Sequence, residues 1–338
     1  MSDIRLARGV RTLLDMNLNL QPGEDVVVVT DPQRRPIAEA IAFGASERGA
    51  EVTLITMLPR TRHGEEPPAA VAEALRVAKV AVLPTTYSLT HSRAVRTARD
   101  AGCRILSLPV ITEDSFLNGA LEVDFLELHS LAVAVGQQLT AAKQARVLSS
   151  GGAVLTVPLA GRPSFDQTGV CHEPGTLGVP PNVETAVSPL EGTAFGTLVV
   201  DGVVVPGGPV AEPITVRVED GRITAIEGGP DAAQLQALLA GYGDSNVFCP
   251  VELGLGLNPK AKMGRGSVLE DEGEFGSLHI GLGEGASFGS SIHAKAHIDL
   301  VLRAPTLELD GKIVLQNKAY TLPGLVFKLG RGGTIERG

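Results

Sequence analysis

The stretch Pro250–Leu302 concentrates the side chains of this chain that can do metal chemistry. It reads PVELGLGLNPKAKMGRGSVLEDEGEFGSLHIGLGEGASFGSSIHAKAHIDLVL and holds three of the seven histidines, His279, His293 and His297, beside Glu252, Asp271, Glu272 and Asp299. His297-Ile298-Asp299 opens a strand-like run. Residues two apart in a strand face the same way, so imidazole and carboxylate project side by side while Ile298 and Leu300 pack behind them. Such a pair can chelate a divalent cation; an ordinary surface strand has the same pattern.

His279, in Ser-Leu-His-Ile-Gly-Leu-Gly, shares a face with Ser277 and Gly281, opposite Leu278, Ile280 and Leu282. The glycines let a ligand or another backbone come close. A ligating histidine and a hydrogen-bonded core histidine both satisfy this pattern. Glu252 ends an apolar approach, and a carboxylate buried without a partner is costly; a cation or an arginine would answer it. Glu184, in PPNVETAVSPLEG, has a similar setting and by itself reads as a loop carboxylate. Asp271-Glu272 either orient a ligand histidine or form a solvated acidic turn. Cys171-His172 have no neighbouring ligands in sequence and read as structural or exposed.

Two kinds of sequence must position these groups. Residues 1–148 alternate helix and strand. Helical spacing covers Ile4–Leu20, Ile37–Arg48, Ala69–Ala78 and Ser92–Ala101; short apolar runs fall at Asp25–Thr30, Glu51–Thr56, Val80–Pro84 and Arg104–Leu108. This predicts an α/β, Rossmann-like domain, a parallel sheet with helices on both faces. No GxGxxG opens its first helix, so no dinucleotide site is expected. Residues 149–338 are dense in Gly and Pro and read as a β-rich α+β domain that carries the metal chemistry. Acidic-Gly turns in LVVDGVVV, VRVEDGRITAIEG and LELDGKIVL predict hairpins, and Ala232–Leu239 a helix.

Composition narrows the function. The chain has 338 residues, 43% hydrophobic, enough for two domains with sizeable cores. Aromatics make up 4%, Trp is absent, and net charge is -9 without a basic run. Base stacking and binding to a nucleic-acid backbone or an anionic membrane are therefore not expected. Three widely spaced cysteines form no CxxC pair, which argues against a disulfide scaffold or a cysteine zinc site. The opening MSDIRLARGVRTLLDMNLNL carries an amphipathic helical pattern rather than a secretory leader. A cytoplasmic enzyme acting on a small molecule or short peptide is the expectation.

In combination, residues 181–202, 250–283 and 291–302 resemble the metalloaminopeptidases of the aminopeptidase T and S group. The resemblance rests on PNVETAVSPLEGTAFGTLVVDG, on Glu252-Leu-Gly-Leu-Gly-Leu-Asn-Pro-Lys-Ala, on Asp271-Glu272, on His279-Ile-Gly-Leu-Gly283 and on His297-Ile-Asp299. It implies a metal site of two ions (Zn, Co or Mn) on Glu184, Glu252, His279, His297 and Asp299. It also implies a metal-bound water that releases N-terminal residues, with Glu184 or Glu252 as proton acceptor, and a homodimer. Three carboxylates and two neutral imidazoles carry a formal charge of about minus three, suited to two divalent cations.

Three features depart from those peptidases. Ala286 stands where they carry an oxyanion-stabilising tyrosine, with Phe288 nearby. The span from His279 to His297 is compressed. His293 is an additional histidine, read as lining the pocket, and His297 is preferred as ligand because only it has the i+2 Asp. The chain also resembles 2,5-dihydroxypyridine 5,6-dioxygenases, which use one Fe(II). Tyr87-Ser-Leu-Thr-His91-Ser looks like the segment that supplies their catalytic histidine, so His91 joins Glu184 and Glu252 as a catalytic candidate; its other reading is a helix-capping residue. Those enzymes are expected to have a His at the position of Glu252 and to lack the His279 motif. The sequence reading therefore puts a metal-dependent hydrolase first, the mononuclear Fe(II) ring-cleaving dioxygenase second and a non-catalytic metal-binding relative third.

Overall fold

The computed structural model describes residues 4–338. Met1–Asp3, the start of the expected N-terminal helical segment, lie outside the described residues. Two compact units are present, one formed by residues up to His129 with Thr168–Val183, the other by Ser130–Gln167 with Glu184–Gly338. The sequence reading divides the chain once, near residue 148. The units are instead discontinuous, because the strand Leu177–Gly178 returns to pair in parallel with Arg104–Pro109 in the first unit.

The first unit is built on a parallel five-stranded sheet. Its order is Glu51–Thr56, Asp25–Thr30, Val80–Thr85, Arg104–Pro109 and Leu177–Gly178. The helices Arg35–Ser46, Ala69–Val77 and Arg93–Asp100 alternate with these strands, as the spacing predicts. Central strands read as unbroken β-branched runs because both faces are covered: Val26, Val28, Val29, Val80 and Val82 are all at most 1% exposed. Burying each such valine contributes roughly 1.5–3 kcal/mol. The expected helix over Ile4–Leu20 is shorter and irregular, with 3-10 geometry at Ile4–Leu6, α at Ala7–Arg11 and π at Thr12–Asn17.

The second unit contains a ten-stranded and a seven-stranded sheet. Two of the expected hairpins form. Asp220-Gly221 and Asp310-Gly311 take positive φ and join antiparallel partners, Ile214–Glu219 with Arg222–Glu227 and Thr306–Leu309 with Lys312–Gln316. The third does not. Phe195–Val200 belongs to the ten-stranded sheet and Val203–Val205 to the seven-stranded one, so Asp201-Gly202 is a passage between sheets. A Cβ at Gly202 would stand 2.4 Å from the Val301 carbonyl oxygen, so the glycine is there for close approach. The expected helix extends over Pro230–Gly241. All three cysteines are buried and free, and among the described residues no helix is long and apolar enough to cross a membrane.

The seven-stranded sheet bears the candidate site. Its order is Gly208–Pro209, Val203–Val205, His297–Leu302, Leu278–Gly283, Pro250–Gly256, Glu184–Val187 and Ser164–Gln167. Neighbours are antiparallel, so residues opposite each other share a face. Glu252 lies opposite Gly281, which lies opposite Asp299. Gly254 lies opposite His279, Gly283 opposite His297, and Gly256 opposite Glu184. Strand alternation thus puts all five polar candidates on one face, each beside a glycine.

Candidate metal centre

Two of those glycines explain how bulky imidazoles fit on a crowded sheet face. A Cβ at Gly254 would come within 2.1 Å of His279 Nε2, and one at Gly281 within 2.8 Å of His297 Nε2 and 2.9 Å of Glu252 Cβ. The rings therefore lie across the strands in space that any side chain would fill. The alternation Glu252-x-Gly254-x-Gly256 and His279-x-Gly281-x-Gly283 is the sequence trace of this cradle.

The five side chains meet. Donor atoms of Glu252, His279 and Asp299 all lie within 4.8 Å of one another. His279 Nε2 stands 3.6 Å from Glu184 Oε2 and 3.6 Å from Glu252 Oε1. His297 Nε2 stands 3.0 Å from Glu252 Oε2 and 3.1 Å from Asp299 Oδ1. His297 Nδ1 is 2.8 Å from the Glu284 carbonyl, so it donates there and aims Nε2 at the carboxylates. Gln167 Nε2 donates to Glu184 Oε1 at 3.1 Å and orients that carboxylate. Sequence reasoning misses both supports, because Gln167 is remote in the chain and the Glu284 contact is made by backbone.

Burial makes this assembly electrostatically tense. Burial alone would push His279 down, but the Glu252 hydrogen bond and the charges of Glu184, Glu252 and Asp299 outweigh it and hold His279 at about 10. His297 is likewise raised well above the usual imidazole value, burial being outweighed by Asp299 and Glu252. Glu252 is held low, since contact with both imidazoles outweighs its burial. The carboxylates thus keep two protons on the imidazoles as countercharge. His279 Nδ1 is buried without a hydrogen-bond partner. A divalent cation fits these donors: oxygen and imidazole nitrogen, no thiolate, in a cradle cleared by glycine.

The remaining candidates fall elsewhere. Asp271 and Glu272 are adjacent on the helix Val268–Gly273 and have different surroundings. Asp271 accepts from the Gly264 amide at 2.7 Å and pins a loop. Glu272 is raised well above the carboxylate range, by burial and then by the charges of Asp299 and Glu184, with Glu252 adding to them against His279. His293, expected to line the pocket, is 75% exposed and faces Glu284 Oε1 at 3.4 Å. Its place in a surface turn, outside the strand that carries His297, keeps it from the sheet face.

His91 belongs to the first unit and is exposed, in the turn before Arg93–Asp100. The capping reading passes to Ser92, whose Oγ accepts from the Val95 amide at 3.2 Å. Cys171 is buried and His172 Nε2 bonds the Met16 carbonyl at 2.8 Å, both structural. Ala286 is exposed in the turn Ala286–Phe288, and from that turn it is Phe288 that reaches the site, its ring against His297.

Comparison with known proteins bears on the reaction. The NicX family, described as 2,5-dihydroxypyridine 5,6-dioxygenase, matches residues 9–320. A 2,5-dihydroxypyridine 5,6-dioxygenase of Pseudomonas putida is 30% identical over 190 residues, 52% of this chain and 54% of that protein, so about half the length of the relative is spanned. The solved structure of the 2,5-dihydroxypyridine dioxygenase from Pseudomonas putida superposes with a TM-score of 0.82 at 23% identity, covering 94% of this chain and 97% of the other. AmpT from Thermus thermophilus superposes with a TM-score of 0.66 at 16% identity, covering 98% and 97%. At these identities the two structures speak for the fold.

Proposed function

The chain belongs to the 2,5-dihydroxypyridine 5,6-dioxygenase family, and from that premise we propose that it is an iron-dependent enzyme opening the ring of a dihydroxylated, pyridine-like substrate with dioxygen. The observation that carries the reading is the family match over residues 9–320, and the convergence of Glu252, His279 and Asp299, with His297 Nε2 within 3.1 Å of both carboxylates, supplies the donors an ion needs. Two imidazoles with carboxylates suit non-haem Fe(II). The sequence reading expected a histidine at 252 and no His279 motif in such dioxygenases. This member instead carries a carboxylate at 252 and an imidazole at 279, so its donor set is richer in charge.

Glu252, His279, His297 and Asp299 would hold the ion. Bound iron would supply the one-electron chemistry that lets dioxygen react with a closed-shell ring. The chain's own residues do the rest. Glu284, through its carbonyl, fixes the His297 tautomer. Gln167 holds Glu184 Oε1, leaving Oε2 toward His279.

The hydrolase reading retains the fold likeness to AmpT and the same five side chains. One experiment separates the two. Protein loaded anaerobically with Fe(II) is mixed with 2,5-dihydroxypyridine in an oxygen electrode, and protein loaded with Zn, Co or Mn is assayed on aminoacyl amides. Stoichiometric oxygen uptake with loss of the ring absorbance is expected. Amide hydrolysis without oxygen uptake would overturn the proposal.

A further inference from the structure

Four of the five converging side chains are sealed: Glu252 and His279 are 2% exposed, Glu184 5% and Asp299 7%. His297, at 26%, is the one that meets solvent. The cluster is open to solvent on that side, and aromatic rings flank it. Phe288 lies against the His297 imidazole with centroids 5.3 Å apart and planes tilted 35°. Phe165 meets Phe288 edge-on at 6.0 Å and 87°, and is itself 41% exposed. Phe165 lies opposite Ala186 on the edge strand, two residues before the Gln167 that orients Glu184, so it shares the site face of the sheet.

The turn carrying Phe288 is held in place. Arg162 Nη1 donates to the Gly289 carbonyl at 2.8 Å, and Arg162 Nη2 pairs with Glu191 Oε2. Glu191 Oε1 accepts from the Ser291 amide at 2.8 Å and from the Ser290 hydroxyl at 3.2 Å. Glu284 Oε2 accepts from the Ala294 amide at 2.8 Å. A half-buried Phe288 on a buttressed turn, backed by an exposed Phe165, is an unusual use of surface in a chain with 4% aromatic residues and no Trp.

We propose that Phe288, supported by Phe165 and clamped by Arg162 and Glu191, is the wall against which the flat substrate ring rests beside His297. It is a specificity-determining residue that selects planar aromatic ligands over aliphatic chelators with similar donor atoms. This rests on the ring-opening reading above. Offset or edge contact with an aromatic face adds to affinity beyond buried area alone, and an aliphatic chelator does not receive that gain.

The test is anaerobic calorimetry of iron-loaded protein with 2,5-dihydroxypyridine and, separately, oxalate, alongside iron content. Phe288→Leu is expected to weaken binding of the dihydroxypyridine roughly 3- to 10-fold and to leave oxalate binding and iron content unchanged. Phe288→Tyr, which keeps the ring, is expected to bind like the parent, and Arg162→Gln to weaken the aromatic ligand selectively by freeing the turn. Parent protein that binds the dihydroxypyridine while Phe288→Leu binds it equally well overturns the wall alone. Equal weakening of both ligands in Phe288→Leu also overturns it, by showing a general effect on the ion. Parent protein that binds oxalate but not the dihydroxypyridine overturns the ring-opening reading, and the wall with it.

Discussion

The imidazole of His279 lies over Gly254, its partner across the ladder, so closely that a Cβ at 254 would stand 2.1 Å from Nε2 and 2.2 Å from Cε1. A rigid ring sealed at 2% exposure cannot yield like the end of a flexible chain. Gly254→Ala should therefore displace His279 from Glu184 and Glu252. The expected result is a stability loss of about 1–3 kcal/mol from overpacking and iron affinity reduced roughly 10- to 100-fold, as for lost support of a ligand. Metal analysis after dialysis, alongside circular dichroism, checks this; full iron retention would show that His279 is not a ligand.

Glu252 contacts both imidazoles, one through each oxygen. Glu252→Gln keeps the shape and removes the charge that holds protons on His279 and His297. Both imidazoles should then titrate nearer their ordinary value in metal-stripped protein, and iron affinity should fall by at least an order of magnitude. Histidine resonances followed by NMR through a pH titration test the first point, since unchanged titration would assign the shifts to Asp299 and Glu184 instead.

The same protons set a pH dependence. His279 is raised from an ordinary 6.5 to about 10 in the folded chain. A raised folded pKa stabilises fully below the unfolded value and is lost as pH climbs through the folded one. Metal-stripped protein should lose melting temperature progressively between about pH 6.5 and 10. A bound divalent cation replaces those protons, so the loaded protein should show a flatter profile and release protons on loading. Melting curves across this range, with and without iron, decide it; parallel profiles would mean that the cation does not compete with the imidazole protons.

Much of the first unit was legible from its β-branched runs: Asp25–Thr30 is a near-continuous one because both its faces are buried, whereas Glu51–Thr56, the largely exposed edge strand, is read from its β-branched residues alone. The helix Phe125–Ala141 is harder to read, since apolar residues occur around much of its surface and blur the helical period. In LVVDGVVV the turn chemistry misleads. Asp201 and Gly202 lack the positive φ that Asp220-Gly221 and Asp310-Gly311 adopt, and only tertiary structure shows a strand leaving one sheet for another. In the site, His297-x-Asp299 is visible as a local period of two. Gln167 supporting Glu184, and Phe288 lying on His297, depend on sheet order and turn shape that no local pattern encodes.

The thiols offer a check on the core. Burial pushes Cys103 and Cys171 up to about 12 and raises Cys249 as well. A thiol held protonated and enclosed does not react with an alkylating agent near neutral pH. Native protein treated with iodoacetamide at about pH 8 should remain unmodified by mass spectrometry, and denatured protein should take up three labels. A label on Cys171 in native protein would mean that the Thr168–Val183 segment opens locally.

Acid should act first on the turn that carries Phe288. Burial pushes Glu191 up, but hydrogen bonds from the Ser291 amide and the Ser290 hydroxyl, together with the Arg162 charge, outweigh it and hold the carboxyl at about 2 against an ordinary 4.5. A depressed folded pKa stabilises above the unfolded value and is lost as pH falls through the folded one. Between about pH 4.5 and 2 the clamp should therefore weaken, with amide exchange at Ser291 rising relative to the sheet. Glu191→Gln should bring that exchange to higher pH. If exchange at Ser291 is insensitive both to acid and to this substitution, the turn is held by its own backbone bonds, such as Ser290 N to the Gly285 carbonyl, and Glu191 is not its clamp.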